Sequence, residues 1–111
     1  MPFDGLPEGV VSDLVKLRLA RDGLAKNWEQ GALGHQADDT HCAIGWLLVA
    51  TDWDPAETAR LAHDYLYPAL PKCRRLTDAR PVNAVIDFND DSQRVGTVLR
   101  MFDRAIVLAG G

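Results

Sequence analysis

Thr40-His41-Cys42-Ala43-Ile44-Gly45-Trp46-Leu47-Leu48-Val49-Ala50 contains one of the two longest apolar runs in the chain. As a strand it would be the middle of a small sheet. As a helix apolar almost all round, it would be the buried centre of an all-α domain. Its short length and the β-branched Ile44 and Val49 argue for a strand. Ala43, Leu47, Leu48 and Ala50 are strong helix formers, and Asp38, Asp39 or Thr40 can cap the N-terminus. The helical reading over 40–50 is preferred.

The flanks agree with it. Upstream, residues 9–26 place Val10, Leu14, Leu17 and Leu24 on one face, with Val11 and Val15 beside them and Asp13, Lys16, Arg21 and Asp22 opposite. That is the 3.6-residue period of an amphipathic helix, weakened near its end by Gly23. Downstream, Asp54-Pro55 with Glu57 reads as an N-cap, a first-turn proline and a capping-box acid. Ala59, Ala62 and Leu66 then share a face with Leu61 and Tyr65 nearby, and Pro68 and Pro71 end the helix. Residues 72–83 read as irregular loop, and Val85, Ile86 and Phe88 as one helical turn or a brief extended piece. Asp90, Asp91 and Ser92 then open a last helix carrying Val95, Val98, Leu99, Phe102, Ala105, Ile106 and Ala109, with acids in front and Arg100 and Arg104 toward the back. The expectation is an all-α chain: a compact bundle of about four helices with two long loops, 27–39 and 72–83.

Composition bounds the function classes. With 111 residues, 47% hydrophobic and 25% charged, the chain reads as one globular domain over 1–111. A formal charge of -4 disfavours direct nucleic-acid binding, which needs clustered cations. The one tight basic run, Lys72, Arg74 and Arg75 with Arg80 further on, reads as a solvated loop. No signal-like or membrane-spanning run is present, so a cytoplasmic location with reduced Cys42 and Cys73 and no membrane partner is expected.

Trp28-x-x-Gly31, Cys42-x-x-Gly45-x-Leu47 and Asn89-Asp90, followed by a terminal amphipathic helix, resemble a family of small helical domains of unknown function from bacteria and phages. The resemblance covers about residues 12–109. The family's usual Cys-x-x-Gly-Ala-Leu and Trp-Asn-Asp appear here as Cys42-Ala43-Ile44-Gly45-Trp46-Leu47 and Phe88-Asn89-Asp90. Trp46 puts a large ring where the family keeps a small side chain, so packing there must differ. The resemblance implies a fold and boundaries, and no activity.

Several residues invite a chemical reading, each with a plainer one beside it. Cys42 near a helix start, where the dipole lowers a thiol pKa, could act with His41, His63 and Asn89 as a nucleophilic set. The plainer reading is that Cys42 and Gly45 are small residues that let another helix approach. His35 and His41, with Asp38, Asp39 and Cys42, offer metal-ligand types without metal-site spacing, so a polar loop entering a capped helix is preferred. Asp87 to Asp91 begins like a calcium loop, but Ser92 and Val98 stand where such a loop needs Gly and Glu. Asn89, Asp90 and Asp91 read instead as a turn and cap. Cys73, among cations, is expected to be the more exposed and alkylation-prone thiol. Trp28, Trp46 and Trp53 serve either a binding surface or the core. No phosphate loop and no cofactor motif is present.

The leading expectation is a non-enzymatic protein-interaction module that binds a protein partner or self-associates. A narrower version is a phage-type inhibitor of a host defence complex, of the anti-CRISPR kind, presenting Asp38, Asp39, Asp90 and Asp91. The competing class is a thiol-dependent enzyme using Cys42.

Overall fold

The computed structural model describes residues 8–30, 41–75 and 80–111. Among these the chain forms five helices and no strand. Helix α1 is Glu8–Lys26 and α2 is Ala43–Ala50. Helix α3 starts as Pro55–Leu61, loosens to a π-turn at Ala62–Leu66 and closes as Tyr67–Ala69. Helix α4 is Pro81–Asp91 and α5 is Val95–Leu108. A single 3₁₀ turn, Lys72–Arg74, follows α3.

Helix α1 lies between α2 and α5, while α3 packs on α4 and α5 and touches α2. One hydrophobic cluster draws from all five helices, with Leu14, Leu47, Leu66, Val85 and Phe102 fully buried in it. Each such side chain contributes roughly 1.5–3 kcal/mol of burial free energy. This common core sets the order of the helices, since each covers the apolar face of the next.

The fifth helix corrects the expectation for 72–91. Pro81 stands at its first helical positions, and Val82, Val85, Ile86 and Asn89 recur at i, i+3, i+4 and i+7. Asn89 occupies an inward slot, so a polar residue interrupts the apolar period. The Asn-Asp-Asp triplet therefore reads as a turn, although it closes α4 instead of opening α5. The N-cap of α5 is Arg94, which makes no side-chain cap. Asp90 and Asp91 thus sit at a helix C-terminus, where the dipole disfavours them. Arg74 offsets this by pairing with Asp91 at 2.6 Å, and the Ser92 hydroxyl donates to the Phe88 carbonyl at 2.6 Å.

Three smaller differences have local causes. Pro68 does not end α3: the Tyr67 amide reaches back to Ala62, and this π-turn carries the chain past a residue with no N–H. On α3 it is Thr58, not Ala59, that faces inward, its hydroxyl 2.7 Å from that of Thr51. On α1, Asp13 is buried with the core face while Val15 is exposed. Asp54 caps α3 as expected, accepting from the Ala56 and Glu57 amides at 3.1 Å each. Glu57, however, turns to Arg60 and Lys16. No helix among the described residues is long and apolar enough to cross a membrane.

Candidate functional site at the junction of α1 and α2

Helix α2 has Cys42 as its N-cap, and the cysteine makes no side-chain cap. The missing acceptor comes from 46 residues away. Asn89 is fully buried, and its Oδ1 accepts from the Ala43 amide at 3.0 Å and the Trp28 indole N–H at 2.9 Å. Its Nδ2 donates to the Glu29 carbonyl at 3.1 Å and to Asp90 Oδ1 at 3.2 Å. Two donors and two acceptor sites are the whole capacity of a side-chain amide, and all are used. Two N–H donors facing one side also fix which way the amide points.

The exchange is reciprocal. Gln30 Nε2 donates to the carbonyls of Asn89 at 3.3 Å, Asp90 at 2.9 Å and also Ser92, at the C-terminal end of α4. So α4 caps the start of α2, and the segment after α1 caps the end of α4. That segment is itself paired with the approach to α2: Trp28 and His41 form an isolated parallel bridge, with Glu29 N donating to His41 O at 3.1 Å.

Around this clasp the sequence candidates fall into place. Cys42 is buried, and burial pushes its thiol pKa up against the nearby Gly45 and Ile44 amides, which pull it down. The helix start therefore does not deliver the lowered pKa expected for it, because desolvation outweighs it. His41 is 1% exposed, its ring edge-on to Trp46 at 4.9 Å and to Trp53 at 5.8 Å. His63 lies instead on the exposed side of α3, its Nδ1 2.9 Å from Asp64. The Cys–His–Asn candidates thus divide: Asn89, His41 and Cys42 build the start of α2, and His63 faces outward. Cys73 is exposed. Asp91 is held by Arg74, and Asp90 carries a bond from Asn89. His35, Asp38 and Asp39, like Gly31 and Thr40, lie outside the described residues. Among the described residues no three His, Cys, Asp or Glu side chains gather as metal ligands.

All three tryptophans meet at this junction. Trp28 is partly buried against the core and bonded to Asn89, and the Trp53 ring packs edge-on with His41. Trp53 and Asp52 both hold left-handed backbone, at φ 59° and 57°, where the chain leaves α2. A bulky residue tolerates that region poorly, so the turn is held by its packing and by the Trp53 amide bond to Leu48 O at 2.7 Å. Trp46 donates its indole N–H to the Asn27 carbonyl at 2.8 Å and lays its ring over Gly23. A Cβ at position 23 would sit 2.6 Å from Trp46 Cζ3. Gly23 is thus the space that admits the large ring.

Trp46 remains half-buried, and it forms one wall of an open groove of about 480 Å³ between α1 and α2. Leu19, Asp22, Lys26, Val49 and Ala50 line the rest of it. Leu19 is 55% exposed, Val15 on the same face of α1 is 42% and Val49 is 39%. Sequence reasoning passed over Leu19 and Val49. The signal was present in Val15 and Leu19, two aliphatic residues four apart and off the core-facing stripe. A smaller apolar groove of about 370 Å³ lies between Pro68 and Val107 at the ends of α3 and α5. A third, of about 500 Å³, is lined by His63, Arg80 and Asn83.

The motif residues Trp28, Cys42, Gly45, Asn89 and Asp90 thus belong to one neighbourhood, built around the start of α2. No curated protein and no solved structure matches the chain. A family model does match it, over residues 11–108, and the chain belongs to that family, described as a family of unknown function (DUF6197).

Proposed function

We propose that this chain is a non-enzymatic protein-interaction module whose docking face is the groove between α1 and α2. The carrying observation is the exposure of Val15, Leu19 and Val49 beside the half-buried Trp46. Aliphatic side chains clustered on one face around an aromatic wall are the composition of a binding patch. The residues best equipped for catalysis support the same reading from the other side. Asn89 has every hydrogen-bonding position engaged, and Cys42 is buried with its thiol pKa raised. Their chemistry is used to hold the start of α2 in place.

A photo-crosslinking amino acid at position 19, in the cell that makes the protein, tests this. Position 87, exposed on α4, serves as the control. The expected result is a discrete protein adduct from position 19 that disappears when Val49→Asp is added. Equal adducts from both positions, or none from position 19, would remove the reading.

A further inference from the structure

We infer that α2 with its two flanks, residues 41–53, is a conformational switch: a spring-loaded unit that opens as one piece while α1, α3 and α5 stay packed. Because Trp46 and Val49 are α2 residues, the opening also removes that wall of the α1–α2 groove.

Nothing local holds α2, which is the first argument. The helix has 8 residues, too few to persist alone in water. Its N-cap, Cys42, makes no side-chain cap, and no acid in the first turn or base in the last complements the dipole. Its burial is one-sided: Ala43, Ile44, Gly45 and Leu47 are buried, Trp46, Leu48 and Ala50 are half-buried, and Val49 is exposed. Only Ile44 and Leu47 among the buried four are large, whereas α5 buries Val98, Met101 and Phe102 with Ala105. Segments with sparse apolar burial open at a lower free energy than the whole fold.

Both ends of α2 are fastened by distant contacts, and one end is strained. At the start, the Ala43 amide depends on Asn89 of α4, at 3.0 Å. At the exit, Asp52 and Trp53 hold φ 57° and 59°, in the left-handed region where a helix exit ordinarily carries glycine. Such strain persists only while the surroundings over-determine it. Here the Trp53 ring packs edge-on with His41, and the Trp53 amide donates to Leu48 O. The His41 ring also meets Trp46, and its backbone is paired with Trp28 and Glu29 after α1. His41 therefore ties the start of α2 to its exit, so that releasing one end frees the other. Opening relaxes the turn at 52–53, and that relaxation is the load on the spring.

Native-state hydrogen exchange of the full chain, in a series of sub-denaturing urea concentrations, reads this directly. It needs no partner, so its outcome is separate from that of the docking reading. The Leu47, Leu48 and Trp53 amides are expected to exchange about a hundredfold or more faster than those of Met101, Phe102 and Ala105 on α5. Their rates should also depend less on urea, since the opening exposes less surface. The Glu29 and His41 amides, paired across the bridge, should share the α2 rate. Asp52 is exposed, so Asp52→Gly takes nothing from the core. It should slow α2 exchange about threefold, the left-handed penalty less the extra freedom of glycine in the open state. Arg60→Ala, in the network between α1 and α3, should speed exchange on α5 and leave the α2 rates unchanged. Equal protection and equal urea dependence for α2 and α5, or α2 rates that follow α5 in Arg60→Ala, would show that α2 opens only with the whole molecule and would overturn the switch. Asp52→Gly with α2 rates unchanged or faster would overturn the loaded turn.

Discussion

At the residue scale the decisive side chain is Asn89. Removing it strands the Trp28 indole N–H, the Ala43 amide and the Glu29 carbonyl inside the protein. Asn89→Ala is therefore expected to cost about 3 kcal/mol, well above a typical surface change. Asn89→Asp keeps the acceptor for the two N–H groups but turns a carboxylate oxygen toward the Glu29 carbonyl and Asp90. It should be destabilising at neutral pH and partly recover in acid. Urea denaturation measures both, and a loss below about 1 kcal/mol for the alanine variant would show that the clasp is not holding α2. Gly23 and Trp46 form a second pair. Alanine is the better helix former by about 1 kcal/mol, yet Gly23→Ala pushes a methyl into the Trp46 ring and should destabilise by about 1–3 kcal/mol. In a Trp46→Ala background the same change should become stabilising. A sign that stays the same in both backgrounds would rule out the proposed contact. The two thiols differ in the same local terms: iodoacetamide should label exposed Cys73 in the native chain and reach buried Cys42 only on unfolding.

At the element scale α1 and α3 are tied by a polar network that the amphipathic pattern placed on the wrong side. Arg60 donates to Asp13 through both terminal nitrogens, at 2.6 and 3.2 Å, and Tyr65 adds a hydroxyl at 2.7 Å. Glu57 bridges Arg60 at 2.5 Å and Lys16 at 3.2 Å. Burial would raise the Asp13 pKa, but the Arg60 and Tyr65 hydrogen bonds outweigh it and hold it below its ordinary value. Glu57 is held at about 2, chiefly by Arg60. Burial, with Asp13 beside it, pushes the Tyr65 hydroxyl up to about 12. Carboxylates with lowered pKa stabilise the folded chain above their ordinary range, and that contribution disappears as they are protonated. Stability should thus fall as pH drops from about 4.5 toward about 2, the interval between the ordinary and folded values of Glu57. Arg60→Ala should cost about 2 kcal/mol at neutral pH, between the limits for exposed and buried pairs, and should flatten that acid decline. Urea midpoints from pH 5 to 2 check it, and an unchanged slope in the variant would reject the linkage.

At the scale of the whole molecule, the periods of α1, α3 and α5 were legible because each carries apolar residues at helical spacing, whereas α2, apolar almost all round, was legible only from its helix formers. Asp54-Pro55 marked one boundary by local capping chemistry alone. Helix α4 was hidden because Asn89, Asp90 and Asp91 have the local character of a turn, and no neighbour in sequence reveals that Asn89 faces Trp28 and Ala43. The same limit applies to function. The motif residues could be picked out, but their meeting at the start of α2 depends on contacts spanning some 46–61 positions. The exposed apolar groove is also set by packing: Leu19 and Val49 are ordinary helix residues until α1 and α2 lie side by side. By itself the sequence determined the all-α class and the phase of most helices, since short-range propensity, capping and periodicity act within a few residues. Only the tertiary structure decided which polar groups are buried, that Gly23 makes room for Trp46, and which apolar side chains are left uncovered. Burial and hydrogen-bond completion are set by residues far apart in the chain, and they exist only once the helices have packed.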